Sequence, residues 1–215
     1  MSRYNRQQAL YRYNIITVQS IPKSCGVMFL KGTTLFPDTQ LPLHIFEERY
    51  CHMLAKALEC SRMFAIAMSP PQETPDNPMP IVGLGMITTC VQQKNGTANL
   101  MLTGIQRVRL LNVIHEIPFQ SHSIEPVNSI NDTVEPEEVV IRELLDICEL
   151  RIPKAEYQIM EMLKELKVLD QLTNQICAIF IKSANARHEL MQTLSLRARA
   201  DKLKRFLAPP LSSAN

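Results

Sequence analysis

The sequence predicts an α+β protein in which a strand-rich lobe is followed by a helix-rich one, and three observations predict it. Short apolar runs return at close intervals up to about residue 130, two of them joined by Asn95-Gly96, the strongest short hairpin signal. One amphipathic helix pattern, 46–58, interrupts them. From Val139 onward the apolar residues recur at helical spacing instead.

Val27–Leu30 is a short apolar run closed by Lys31-Gly32. Phe36-Pro37 and Leu41-Pro42-Leu43 hold the next segment extended, because proline fixes its own φ and restrains the residue before it. That segment feeds the helix, where Phe46, Tyr50, Met53, Leu54, Ala57 and Leu58 fall at spacings of three and four. Phe46 and Tyr50 are expected to face the strands. Met63–Met68 is a further run, ended by Ser69-Pro70. Segment 70–80 has five prolines in eleven residues, so it is expected to be an exposed loop. Segment 81–93 leads to the hairpin, Ala98–Thr103 returns, Val108–Ile114 follows, and Phe119–Val127 closes the series. Gly104 fits a bend or bulge. Strands at such intervals suggest a small antiparallel barrel or sandwich.

In the second half, Asn131-Asp132-Thr133 ahead of Glu135-Pro136-Glu137 reads as a capped helix start with proline and acids in the first turn. Val139–Glu149 follows and Arg151-Ile152-Pro153 breaks it. Lys154–Leu169 is a second helix, and Leu172–Ser183 a third, apolar enough to be central. Ala186–Leu207 is a last run with Leu190, Leu194, Leu203, Phe206 and Leu207 on one face. The expected organisation is a flexible tail over 1–24, a strand lobe over 25–130, a helical lobe over 131–208 and a short flexible tail over 209–215.

Composition narrows the function classes. With 46% hydrophobic and 20% charged residues the chain is globular rather than disordered. It has no run of about 18 apolar residues, so no membrane span is expected. The opening MSRYNRQQALYRYN lacks the apolar centre of a secretory signal. Cys25, Cys51, Cys60, Cys90, Cys148 and Cys177 form no C-x-x-C pair and sit mostly in apolar runs. They read as free thiols in a reducing cytoplasm, not as disulfides or metal ligands. Residues 135–149 are acidic and 187–205 basic, which suits consecutive helices complementing their macrodipoles.

No catalytic or cofactor constellation assembles. Gly83-x-Gly85 lacks the third glycine of a dinucleotide loop, since Thr88 stands there and no helix follows. Gly26–Thr33 reads GVMFLKGT, with lysine and glycine reversed relative to a phosphate loop. His44, Glu48 and His52 share i, i+4 spacing, but His44 lies at or before the helix start, so no metal site is expected. His115-Glu116 and His188-Glu189 are sequence neighbours, which do not face one another. No Ser/His/Asp or Cys/His set can be formed. The tail interleaves Arg3, Arg6 and Arg12 with Tyr4, Tyr11 and Tyr13, a pattern able to grip single-stranded RNA. RNA binding is therefore the alternative partner class, although the rest of the chain is nearly neutral.

Three stretches resemble the substrate-binding domain family of Lon proteases. They are LFPDTQLPLHIFEERY at 35–50, VGLGMITTCVQQKNGTANLMLTGIQRVRL at 82–110, and LTNQICAIFIKSANARHELMQTLSLRARADKLKRFL at 172–207. The resemblance implies a PUA-like antiparallel β-barrel with one inserted helix, joined to an α-helical bundle. It also implies capture of unfolded or extended polypeptides, with a protease or chaperone as a partner. The family's ATPase and Ser–Lys peptidase domains have no counterpart in these 215 residues, so a non-enzymatic, stand-alone module without cofactors is expected. Binding is expected in a groove between the two lobes, through apolar burial and strand addition at an open barrel edge. The candidate peptide contacts are Phe36, Leu43, Phe46, Met79 and Phe119.

Overall fold

Strands fill the first half of the described chain and helices the second. The computed structural model describes residues 20–68, 80–153 and 156–208. Most of the two expected tails, with their Arg/Tyr pattern, and most of the proline-rich loop, with Met79, lie outside these residues. The strands are β1 (Ser24–Phe29), β2 (Gln40–Ile45), β3 (Met63–Ala67), β4 (Ile81–Gln92), β5 (Ala98–His115) and β6 (Ser121–Val127). The helix α1 (Glu48–Glu59) lies between β2 and β3. After the strands come α2 (Glu137–Glu149), α3 (Tyr157–Lys164), α4 (Leu169–Phe180), α5 (Ala184–Gln192) and α6 (Leu196–Leu207). Among the described residues no helix is long and apolar enough to cross a membrane.

The sheet order is β2-β5-β4-β3-β1-β6, and β6 pairs again with β5. Five strands therefore close on themselves in a ring, with β2 attached outside it to the first half of β5. The pairings are antiparallel except β1 with β3, where Val27 stands opposite Ala65 in parallel. The short strand spacing points to an antiparallel barrel or sandwich, and this one parallel pair departs from it. Parallel neighbours need a long crossover, and the segment carrying β2 and α1 supplies it. The two runs expected on either side of Gly104 are one strand, β5. The irregularity expected there is a register shift between Leu84 and Gly85, opposite Gly104.

Two glycines admit the backbone that precedes β2. A Cβ on Gly83 would sit 1.8 Å from the Leu35 carbonyl oxygen, and one on Gly104 would sit 2.1 Å from that of Phe36. Leu35 and Phe36 thus lie directly on the sheet. The chain then turns through Pro37 and Asp38, whose φ is 63°, a conformation Asp tolerates better than most residues. The Thr39 hydroxyl donates to the Phe36 carbonyl at 2.7 Å and closes the turn.

Because β3 is buried on both faces, it separates two apolar layers. Met63, Ala65 and Ala67 meet Val27, Leu84, Val108, Leu110 and Ile124, a cluster drawn from all five ring strands. Phe64 and Ile66 face the other way, onto Tyr50, Met53 and Leu54 of α1. A third cluster fills the helical half around α4, whose Leu169, Leu172, Ile176 and Cys177 are fully buried. As its apolar sequence suggested, α4 packs against α2, α5 and α6.

Several expected boundaries move. Helix α1 begins at Glu48, leaving Phe46 outside it and 66% exposed, so Phe46 does not face the strands. The expected final run divides into α5 and α6 at Thr193–Ser195. Ser195 caps α6, its hydroxyl accepting from the Ala198 N–H at 3.0 Å. Ile130 holds the break open, its N–H donating to the Leu194 carbonyl and its carbonyl accepting from the Leu196 N–H, both at 2.9 Å. Asp132, one of the three residues 131–133 expected to cap the helix that follows, instead serves α6. It accepts from the Arg197 N–H at 3.1 Å and from the Ser195 hydroxyl at 2.7 Å.

Candidate functional site

Residues four apart on a helix stack along one face, so α1 presents two adjacent rows. Met53 and Ala57 are buried, whereas His52, Lys56 and Cys60, just beyond the helix end, are exposed. Tyr50 anchors the helix: its hydroxyl lies 3.2 Å from the Phe29 N–H, which donates to it, and 3.3 Å from the Phe29 carbonyl, to which it donates. The inner row faces β1 at Gly26, where the missing side chain leaves room for Met53 and Phe119.

The opposite wall is the end of β5 and the turn from it into β6. Ile114 is 44% exposed and Ile117 is 88% exposed, while Phe119 folds inward. Between this turn, the start of β1 and α1 lies an open cleft of about 680 Å³. Its floor is apolar, with Met53, Met63, Ala57 and Phe119, and its rim carries His52, Lys56 and His115. Among the described residues no Asp or Glu lines the cleft. The Cys25 thiol in the wall is pushed up to about 12 by burial, outweighing a backbone hydrogen bond at Ala65. It is therefore a packing group rather than a nucleophile. Among the described residues no three His, Cys, Asp or Glu side chains converge to hold a metal. His44 of the expected i, i+4 series sits on β2 instead, hydrogen-bonded to Asn99 at 2.7 Å.

The seam between ring and helices, where a groove was expected, is filled. Arg107, 2% exposed, reaches from β5 and donates to the Asn174 side-chain carbonyl at 2.8 Å. Its guanidinium stands 5.8 Å from the Phe36 ring centre. Burial, and then the neighbouring Arg199, bring its pKa down to about 10, with Asp170 opposing the shift. Arg199, fully buried, donates to the Ser129 hydroxyl at 2.8 Å and the Thr193 carbonyl at 2.9 Å. The Gln192 amide completes the closure by pairing with both backbone groups of Ile81, at 2.8 and 2.7 Å.

The candidate contacts therefore separate. Phe119 lines the cleft. Leu43, half-buried, packs inward against the core beneath β2, whereas Phe46, exposed just past the end of β2, has its ring centre 5.9 Å from that of His44, stacked on it. Phe36 is fully buried under Arg107 and takes no place on the surface. Met79 is outside the described residues. The sequence reading missed Ile114, Ile117 and Lys56, and weighed His52 only as a metal ligand. The available signal was two isoleucines flanking His115-Glu116, where a turn would ordinarily be polar.

Comparison with known proteins agrees on one likeness. A family model described as the ATP-dependent protease La (LON) substrate-binding domain matches residues 25–208. A Lon protease of Dictyoglomus thermophilum is 22% identical over 200 residues, covering 90% of this chain and 25% of that protein. Lon protease 1 of Bdellovibrio bacteriovorus is 27% identical over 188 residues, covering 82% of this chain and 23% of that protein. The chain thus spans about a quarter of the length of the curated relatives it matches. Among solved structures, the N-terminal domain of a Mycobacterium avium complex Lon protease superposes with a TM-score of 0.71 at 16% identity, covering 88% of this chain and all of that one. A Lon N-terminal domain protein from Xanthomonas campestris gives 0.62 at 15% identity, covering 86% of this chain and 98% of that one.

Proposed function

The chain belongs to the family of the ATP-dependent protease La (LON) substrate-binding domain, and from that membership we propose that it binds extended polypeptide segments in the cleft between α1 and the β5–β6 turn. The carrying observation is the pair Ile114 and Ile117, displayed to solvent beside a concave apolar floor. Apolar area removed from water contributes roughly 25 cal/mol per Å², so such a surface favours a partner that covers it. We read the strand ring as a PUA-like barrel that keeps the cleft walls fixed. The reading is of recognition without catalysis: an adaptor or chaperone-like module that works beside a separate protease in a reducing cytoplasm. Phe119 is its contact within the cleft. Phe46 gives a second contact on the outward face at the end of β2, and Leu43 contributes through the backbone of that strand, which pairs only with β5 among the described residues and so offers an edge for strand addition.

Photo-crosslinking tests this. A benzoylphenylalanine placed at Ile117 is expected to crosslink a permanently unfolded, carboxymethylated model protein. The same group at Leu150, 89% exposed but on the helical half, is expected not to. Equal crosslinking from both positions, or none from Ile117, would remove the cleft from the function.

A further inference from the structure

Charge in the cleft is one-sided. Among the described residues His52, Lys56 and His115 line it, and no carboxylate does. None of the ion pairs among the described residues uses any of the three. The nearest acids in sequence, Glu48, Glu59 and Glu116, are not part of the lining. A rim with Lys56 in none of those ion pairs, although Glu48 and Glu59 lie nearby on α1, above an apolar floor complements an anionic, apolar ligand.

The spacing narrows the ligand. His52 and Lys56 are one helical step of four apart, roughly 6 Å along the axis of α1. In an extended chain, side chains on one face repeat every two residues, roughly 6.6 Å. A strand lying in the cleft would thus aim alternate residues at the α1 rim and the intervening ones at Met53, Phe119 and Ile117. Resting on the polypeptide-binding reading above, we infer that the cleft selects extended segments in which apolar residues alternate with Asp or Glu. The chain's own residues 1–19 are a poor match. They hold Arg3, Arg6 and Arg12 and no acid.

Fluorescence anisotropy on the full chain decides it, with capped, fluorescein-labelled nonapeptides alternating Val with Glu, with Gln or with Lys. The Glu peptide is expected to bind about two- to fivefold more tightly than its Gln twin, the range for one partly exposed ion pair at Lys56. Added salt narrows that gap. Lys56→Glu, at an exposed position in the last turn of α1, is expected to reverse the order of the Glu and Lys peptides while lowering the melting temperature by no more than about 4 °C. Equal binding of the Glu and Gln peptides overturns the charge selection while leaving polypeptide binding intact. No binding of any peptide, together with no crosslink from Ile117, overturns both. Tighter binding by an uncapped Gln peptide than by the capped Glu one assigns the basic rim to chain ends and overturns the inference. Tighter binding by a labelled peptide of residues 1–19 assigns the cleft to the chain's own tail and overturns it too.

Discussion

Asp170 of α4 accepts a hydrogen bond from the fully buried Arg199 of α6 at 2.5 Å. The same carboxylate oxygen stands 3.6 Å from Arg107 of β5, so one acid faces two buried guanidiniums across the seam. Arginine stays ionised when buried, so the arrangement depends on that acid. Asp170→Asn is expected to cost about 3 kcal/mol, the low end for breaking a buried pair because Asp170 itself is a third exposed. In urea the midpoint should fall with an unchanged slope. A loss below about 0.5 kcal/mol would mean that solvent reaches the two arginines and screens them.

Gly83→Ala is expected to destabilise more than any other single-methyl addition on the sheet. The new carbon would meet a backbone oxygen at 1.8 Å, and backbone cannot rotate aside as a side chain does. A cost of about 3 kcal/mol lowers the melting temperature by about 6 °C or more in a chain this size. Gly96→Ala is the control. Its φ of +85° is unfavourable to alanine, but no atom lies within 4 Å, so the cost should stay near about 1 kcal/mol. Equal losses at both sites would deny that Leu35 lies on the sheet.

These cases show which features were legible in the sequence. The Asn95-Gly96 hairpin and the apolar stripe of α1 are local, and local patterns survive folding. The break at Ser195 was not legible because its partner, Ile130, is remote in sequence and acts through backbone groups that carry no residue identity. Hydrophobicity alone could not separate Phe36, which entered the seam, from Phe119, which reached the cleft. The cleft itself is tertiary. Ile114 reads as the end of a strand, and Ile117 as part of the link to the next, until α1 is placed opposite them.

The Asp132 cap makes stability depend on acid. Hydrogen bonds from Ser195, and then from the Arg197 N–H, hold its carboxyl below the ordinary value of 3.8. The folded state therefore binds this proton more weakly than the unfolded chain does. Its stabilising contribution is complete above 3.8 and is lost as pH falls through the lower folded value. Denaturant midpoints of the wild type and of Asp132→Asn should differ most at neutral pH and converge below that range. A difference that stays constant with pH would assign the cap to the backbone geometry of 130–132 rather than to the carboxylate.

Cysteine chemistry can report occupancy of the cleft. The thiolate is the reactive form, and burial pushes the Cys25, Cys148 and Cys177 thiols up to about 12. At about pH 8 only about one in ten thousand of each is ionised, so iodoacetamide should spare them until the chain unfolds. Cys60 is exposed and lines the cleft. Its alkylation, followed by mass spectrometry, is expected to be fast in the free protein and several-fold slower with the Val–Glu peptide bound. Cys51 and Cys90, half-buried and outside the lining, provide the internal reference and should react at an unchanged rate. If the peptide binds while Cys60 reacts as before, the occupied surface lies elsewhere, and the exposed end of β2 beside Phe46 becomes the place to look.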